Sequence, residues 1–222
     1  METYLYRALS IVAKKPAPGA AKTRLSPPLS ARQASQLYEC FLRDTLDLVR
    51  QVAGVSRLVA YTPAEEAEYF RALAPDFDLV PQVGADLGER LDSVLTHCLS
   101  VGFHQAVVLG SDCPTLPVAY LSAAFDLLGG ADVVLGPAED GGYYLIGVER
   151  PQSALLRQVP MSTPRVLEDT LALAQRQGIS VALLPRWYDV DTARDLARLR
   201  ADLVATPGLS ARHTRDFLRR LG

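Results

Sequence analysis

Cysteine is scarce in this chain. Only Cys40, Cys98 and Cys113 occur in 222 residues. The odd count and the lack of any C-x-x-C pair exclude a disulfide framework and a paired-cysteine zinc site, leaving reduced cytoplasmic thiols as the simple reading. Long apolar runs are also missing: nothing approaches the roughly 20 residues of a membrane-spanning helix. The opening stretch METYLYRALSIVAKK has Glu2 and Arg7 interrupting its short apolar segment, so it lacks the basic-then-apolar order of a secretion signal. A soluble, cytoplasmic protein is expected.

An excess of either charge is absent too. With 23 Lys and Arg against 25 Asp and Glu, the formal net charge is −2. Nothing draws the whole molecule to nucleic acid or to an anionic membrane, so an anionic ligand must be held by a local cluster of cations. The three histidines, His97, His104 and His213, stand apart, with no carboxylate or nucleophile at a telling spacing. There is no nucleophile elbow and no plausible Ser-His-Asp order, so a hydrolase would lack a recognisable nucleophile or water-activating base. Internal repeats and low-complexity tracts are missing as well.

What remains is ordinary globular composition, 49% hydrophobic and 22% charged, in a chain long enough to bury one full core. Apolar runs at 5–13, 57–61, 77–81, 105–109, 132–136, 143–148 and 179–184 read as strands. Between them, helical patterns fall at 31–53, up to 73, 88–100, 117–128, 164–177, 192–203 and 211–221. Ser30 with Gln33 spells a capping box. Leu37, Phe41, Leu42, Thr45, Leu48, Val49 and Val52 form one stripe on the helix that follows. Thr62 and Thr163, each followed by proline, are expected helix caps. Alternating strands and helices imply a mostly parallel mixed sheet in a Rossmann-like three-layer α/β/α arrangement, with residues 1–222 as a single domain. Pro207-Gly208 sets off a basic C-terminal helix within residues 206–222; Arg212, Arg215, Arg219 and Arg220 make either a solvated face or a homodimer contact.

In such a sheet the loops leaving the carboxyl ends of parallel strands share one edge, where ligands bind. The most telling is at 107–117, VVLGSDCPTLP. A doubly buried strand ends at Gly110, and Ser111, Asp112 and Pro114 follow. Asp112 at that position suits a divalent cation, or else steadies the turn before Pro114. The loop after the first strand gathers Lys14, Lys15, Lys22 and Arg24 around Gly19. It is a phosphate cradle or a solvated basic loop, without the glycine spacing of a Walker loop. In Q-V-G-A-D-L-G-E-R-L, residues 82–91, Gly84 and Gly88 let backbone approach a flat ligand, or merely introduce a helix. In W-Y-D-V-D-T, residues 187–192, Asp189 and Asp191 alternate and share a face in extended chain, as two ligands of a hard cation would. Thr192 with Asp195 spells a looser capping box, and Asp191 could simply favour that helix N-terminus. E-D-G-G, residues 139–142, is a strong hairpin signal, in which Asp140 is first a turn residue. Tyr143 and Tyr144 read as strand packing.

These segments, K-x-P-x-P-G-x-x-K-T-R-L, D-L-G-E-R-L, G-S-D-C-P-x-L, G-P-A-E-D-G-G-Y-Y-L-I-G and D-V-D-T, occur here in that order. Together they resemble the radical-SAM/selenodomain-associated transferase 1 family, a glycosyltransferase-A-like group related to the molybdenum-cofactor and 2-phospho-lactate guanylyltransferases. The resemblance spans residues 11–199. It implies a nucleotide-diphospho-sugar-transferase-like sheet, a nucleotide or nucleotide-sugar donor, Mg2+ or Mn2+, and an unidentified small-molecule acceptor. By that resemblance Lys14, Pro16, Gly19, Lys22, Arg24, Gln82, Gly84, Arg90 and Ser111 form the nucleotide-binding set. Asp112 and Asp191 become the metal ligands, and Lys22, Arg24 and Asp140 the catalytic set, Asp140 through a metal or acceptor contact. Two departures stand out: Pro16 and Pro18 replace the paired glycines usual after the first strand, and Met161 replaces a tryptophan before Ser162-Thr163-Pro164. The resemblance implies a metal-dependent transferase of nucleotidyltransferase type, with glycosyl transfer from a nucleotide-sugar and a non-catalytic nucleotide-binding module as the alternatives.

Overall fold

The computed structural model describes residues 6–206 and 211–221. Seven strands form one sheet: β1 (Arg7–Lys14), β2 (Ser56–Thr62), β3 (Asp78–Pro81), β4 (Gln105–Leu109), β5 (Val133–Pro137), β6 (Tyr143–Val148) and β7 (Val181–Leu183). Their order across the sheet is β3-β2-β1-β4-β6-β5-β7. Only β6 runs against its neighbours, β4 and β5; the other pairs are parallel. The expected mixed, mostly parallel three-layer sheet is the observed one. The carboxyl ends of β1, β3, β4, β5 and β7 therefore meet at one edge, and the β5–β6 hairpin turns there.

Period-two alternation feeds two cores. Leu9, Ile11 and Ala13 of β1 with Val107 and Leu109 of β4 face one layer of helices, α1 (Ala31–Arg50), α2 (Ala67–Leu73) and α4 (Val118–Leu128). Ala8, Ala106 and Val108 face the other, made by α3 (Leu87–Ser100), α5 (Ser153–Arg157) and α6 (Val166–Gln177). A third cluster joins the far side of α1 to α7 (Ala193–Ala205) and α8 (Arg212–Leu221). The single stripe expected on α1 thus divides in two. Leu42, Leu48 and Val49 face the sheet, while Leu37, Tyr38 and Phe41 face α7, α8 and the first loop. Burial on both sides is what lets α1 carry a side chain to the sheet edge.

Several boundaries differ from the sequence reading. The capping box at Ser30 and Gln33 is present, as is the one at Thr192 and Asp195. Thr62 is instead the last residue of β2 and caps nothing. Thr163 is not a cap either. Ser162 has a positive φ of 64° and the chain turns helical only from Val166, with Arg165 at the N-cap. Asp86, accepting from Glu89 N, caps α3, and the five-residue α5 is too short to show a period in sequence. The expected start of the first strand at Leu5 and the break at Pro207-Gly208 lie outside the described residues.

The C-terminal helix is not a free solvated face. Arg212 pairs with Asp47 of α1, and Thr214 and Leu218 are buried. Asp44, 2% exposed, accepts from the backbone N–H groups of His213 and Thr214, both at 2.9 Å. A side chain of α1 thereby satisfies two of the donors that begin α8. Asp44→Ala should destabilise the protein by about 2 kcal/mol, the cost of two orphaned N–H groups. A lowered urea midpoint with an unchanged slope for the main transition is the expected result; an unchanged midpoint would show that the contact does not hold α8 in place.

Candidate active site

The first loop turns back on itself before it reaches the sheet edge. Gly19, at φ +76°, makes the turn, and Lys14 Nζ donates to Ala20 O at 3.0 Å. Lys15 leaves the edge altogether, paired with Glu66 at 2.6 Å. Lys22 then adopts φ +51°, a left-handed conformation that few side chains other than Asn, Asp and Gly take readily. A single 3-10 turn, Thr23–Leu25, follows, anchored by the fully buried Leu25. The effect is to drive the Lys22 side chain inward, where it is 5% exposed.

Its ammonium lies between two carboxylates, 2.8 Å from Asp112 Oδ1 and 2.5 Å from Asp191 Oδ1. The Phe41 ring lies below it at 5.9 Å. An unpaired buried ammonium would give up its proton. Burial is the largest single influence on Lys22 and works to lower its pKa. Asp112 and Asp191 together outweigh that, and the net shift is upward, so Lys22 is a fixed positive charge.

Asp112 and Asp191 come from loops about 80 residues apart in sequence. They meet because Val190 N donates to Asp112 O at 3.0 Å, with Val190 itself fully buried in the third cluster. That one buried residue sends Asp189 and Asp191 to the cleft, as their alternation implied. Asp189 accepts from Cys113 Sγ at 2.6 Å. Burial pushes its carboxyl up to about 7, with Asp112 and Asp140 adding to the rise against the Cys113 hydrogen bond. The capping role offered for Asp191 belongs to Thr192 and Asp195 instead.

On the other side of Asp112, Ser111 Oγ shares a 3.0 Å hydrogen bond with Tyr38 Oη of α1. The same phenol accepts from Lys14 N at 3.1 Å. Tyr38 thus ties the ends of β1 and β4 together beneath the site. Sequence reasoning passed over it, although a phenol on the buried side of a helix needs a partner, and that was the available signal.

Asp140 is a turn residue and a cleft residue at once. Its Oδ1 accepts from Gly142 N at 2.9 Å, and the side chain lines the cleft. Gly141, at φ +93°, has no room for a Cβ, which would lie 1.9 Å from Pro164 O; Leu167 N donates to Gly141 O at 2.9 Å. The hairpin is therefore clamped onto the start of α6. Tyr143 is more than strand packing: its ring lines the cleft and its hydroxyl donates to Met161 Sδ at 3.7 Å.

Tyr38, Ser111, Asp112, Asp140, Tyr143, Asp189 and Asp191 line one cleft of about 690 Å³ at the carboxyl edge of the sheet, a volume suited to a nucleotide, while Lys22, held by Asp112 and Asp191, is not in its lining. Lys14, Arg24 and Arg90 stand among its walls, and Asp112, Asp140, Asp189 and Asp191 among the others. Arg24 has no partner among the described residues. Gln82 and Ser111 also line the cleft; Gly84 does not, but its carbonyl oxygen accepts from Arg90 Nε at 3.0 Å. Pro16 and Gly19 do not line it; their loop arches away. A second acidic group, Asp44, Asp47 and His213, places three ligand atoms within 4.8 Å of one another on the α1–α8 face. Both Asp44 oxygens already accept backbone N–H groups there, so it is a helix cap apart from the cleft.

The chain is 31% identical over 206 residues to the 2-phospho-L-lactate guanylyltransferase of Methanothermobacter thermautotrophicus, covering 90% of this chain and 85% of that one. It is 29% identical over 200 residues to the phosphoenolpyruvate guanylyltransferase of Mycolicibacterium paratuberculosis, with 87% and 86% covered. Its structure superposes on that of a Desulfovibrio desulfuricans G20 protein, provisionally named a nucleotide-diphospho-sugar transferase, with a TM-score of 0.88, 31% identity, and 96% and 94% of the two chains covered. The CMP:2-keto-3-deoxy-manno-octonic acid synthetase structure shares the fold alone, at a TM-score of 0.58 and 16% identity. Transferase is the enzyme class these relatives support. Residues 45–163 match the family model described as an uncharacterized protein conserved in bacteria, DUF2064, and the chain belongs to that family.

Proposed function

We propose that the protein is a metal-dependent nucleotidyltransferase. A nucleoside triphosphate lies along the cleft, and a phosphate oxygen of a small acceptor attacks its α-phosphorus. The new bond is acceptor O–Pα; the bond that breaks is Pα–O to the β-phosphate, and pyrophosphate leaves. The observation that carries this reading is the seat between Asp112 and Asp191. Both carboxylates already reach one cationic centre, the Lys22 ammonium, and both are more than one-third exposed toward the cleft. Two hard oxygen donors around a single cation fit Mg2+ or Mn2+, with room for water and phosphate oxygens. Such an ion, when bound, supplies Lewis-acid neutralisation of phosphoryl charge.

The chain's own residues supply the rest. Triphosphate oxygens offer Lys22 a new anionic partner, so it shifts from the carboxylates to the phosphates. Arg24, free of any partner among the described residues and lining the cleft, offers a bidentate fork to the leaving pyrophosphate. Lys14 adds a point charge at the end of β1. Lys22 and Arg24 together oppose the negative charge that grows in the transition state. Asp140, fixed by the Gly142 N–H, accepts from the acceptor and orients it. Tyr38 keeps the two loops at a fixed separation.

The guanylyltransferases to which the chain is similar support nucleotidyl over glycosyl transfer. The narrower grouping with radical-SAM/selenodomain-associated transferases rests on the five ordered motifs. One continuous sheet beneath the cleft supports reading residues 1–222 as one domain. No described helix is long and apolar enough to cross a membrane, and three free cysteines support a cytoplasmic site of action.

Pyrophosphate release from nucleoside triphosphates, assayed with Mg2+ or Mn2+ across a panel of phosphorylated acceptors, tests the reaction. Asp112→Asn should lower it at least about a hundredfold. Metal-dependent nucleotide binding that is intact in Asp112→Asn would remove the assignment, and stabilisation by nucleotide-sugars alone would redirect it to glycosyl transfer. Lys22→Met keeps the buried stem but leaves Asp112 and Asp191 facing each other without their cation. A stability loss of about 1 kcal/mol, reduced by the solvent that reaches both carboxylates, is expected in urea unfolding at low salt. An unchanged midpoint would show that the pair is held apart by other means.

A further inference from the structure

One flank of the cleft is apolar, and the transfer chemistry does not use it. Its floor is three side chains from adjacent strands: Val12 of β1, Val108 of β4 and Ile146 of β6. Val108 and Ile146 are direct partners across the β4–β6 ladder. All three belong to the side of the sheet covered by α3, α5 and α6. Leu87 and Leu91, one turn apart on α3, continue the surface. Beside them come Met161 and Val166, at the approach to α6, and Tyr143 at the hairpin end. The second core therefore opens into the cleft instead of closing beneath it.

Close backbone approaches hold this surface in place. Gly88, in the first turn of α3, has no room for a Cβ, which would lie 2.1 Å from Leu156 O and 3.2 Å from Met161 Cγ. The start of α3 is thus pressed onto the α5–α6 connection, with Met161 against it. Ser162, next in the chain, keeps its positive φ there, a strain that persists only where the surroundings impose it. Among the eight side chains of the flank the one polar group is the Tyr143 hydroxyl, and it donates to a weak acceptor, Met161 Sδ, at 3.7 Å. Thr163 is engaged with Pro160 O and Arg165 N. The charged and amide groups keep to the rest of the cleft. Arg90 is bound through Nε to Gly84 O, in the loop after β3, and the Gln82 amide donates to Ala60 O at 2.7 Å and Ala13 O at 3.2 Å.

We infer that this flank receives the body of the acceptor, and that the acceptor is the phosphate monoester of an alkyl or aryl group. The inference rests on the nucleotidyl-transfer reading and adds the acceptor class. Asp112 follows Val108 by four residues, at most about 13 Å of extended chain. A phosphate at the Asp112–Asp191 seat therefore leaves its substituent within reach of the floor. A nucleobase fits the flank poorly, because its polar edges would be buried there unpaired. A carboxylate next to the acceptor phosphate fits worse. It would lie near Asp140, or lose its water against Val108 and Ile146 with no cation among the flank side chains to receive it. A hydrocarbon body loses no hydrogen bond and gains by leaving water. Met161, with its flexible thioether, adapts to bodies of different outline; a tryptophan in its place would fill part of the space.

Calorimetric titration of the full chain in Mg2+ with methyl, propyl, pentyl and phenyl phosphate, and with phosphoenolpyruvate, tests this. Affinity should rise about threefold for each methylene from methyl to pentyl phosphate, as burial of a methylene implies. Phenyl phosphate should bind more tightly than methyl phosphate, and phosphoenolpyruvate no more tightly. In Met161→Trp the whole rise from methyl to pentyl should shrink to within about twofold, with methyl phosphate itself unaffected. A flat series in the wild-type protein, a preference for phosphoenolpyruvate, or a series unaltered in Met161→Trp overturns the inference alone. Pyrophosphate release, followed with each phosphate and the four common nucleoside triphosphates, reports on the reading beneath it. Release that is faster with pentyl than with methyl phosphate supports both. Release with phosphoenolpyruvate only overturns the acceptor class and leaves the transfer, and release with none of them removes both. The wild-type series stands even if Met161→Trp does not fold.

Discussion

The contact on which the site depends is the ammonium of Lys22 held between Asp112 and Asp191. Three groups from three loops, otherwise costly to bring together, form one cluster at the edge of the sheet whose two negative charges share a single positive one. Without the cation the carboxylates would repel, and the loops after β4 and β7 would lose a reason to converge. Without the carboxylates a lysine this deeply buried would shed its proton. The arrangement also describes a seat that any cation can take, and a cationic side chain with an alternative anionic partner close by. In the proposed reaction, a triphosphate entering the cleft is that partner. The resting cluster and the working site can then use the same residues in two arrangements, with Lys22 moving a short way between them.

The fold serves this contact by registry. Val190 N bonds Asp112 O, Tyr38 bridges the ends of β1 and β4, and the Gly141 turn sits without a side chain against Pro164. Each is a short-range fixture between loops that are distant in sequence. Each lies on an element buried on more than one side, so the loops inherit their positions from the core. The cleft divides by charge along the strand order: cations and the Gln82 amide toward β1, β2 and β3, carboxylates toward β4, β5 and β7. A ligand with a polyanionic middle fits such a gradient in one direction only.

Much of this was legible in the sequence because its signals were local. Apolar runs separated by helical periods gave the sheet, the Ser30–Gln33 and Thr192–Asp195 pairs marked two helix starts, and Asp112 stood out at the end of a doubly buried strand. Asp189 and Asp191 were seen to share a face. What escaped depended on three-dimensional pairing. Nothing in K-P-A-P-G-A-A-K-T-R-L distinguishes Lys22, which turns inward through a left-handed backbone, from Lys15, which turns away to Glu66. The thiol of Cys113 and the carboxylate of Asp189 are far apart in the chain and meet only once β7 is in place. Tyr38 lay hidden in an amphipathic helix because its role is set by which strand ends α1 crosses. Thr62 and Thr163 misled for the converse reason: a local capping signal was overridden, in one case by strand pairing and in the other by the docked turn at Gly141.

A calorimetric titration of Mn2+ into nucleotide-free protein addresses the seat itself. If Lys22 and a divalent ion compete for Asp112 and Asp191, wild-type protein should bind Mn2+ weakly. Lys22→Met should bind it at least about tenfold more tightly, within the usual range of coupling between two competing ligands. Adding Asp112→Asn to that variant should abolish the gain. Equal Mn2+ affinity in the wild type and Lys22→Met, or a gain that persists without the Asp112 carboxylate, would contradict the account.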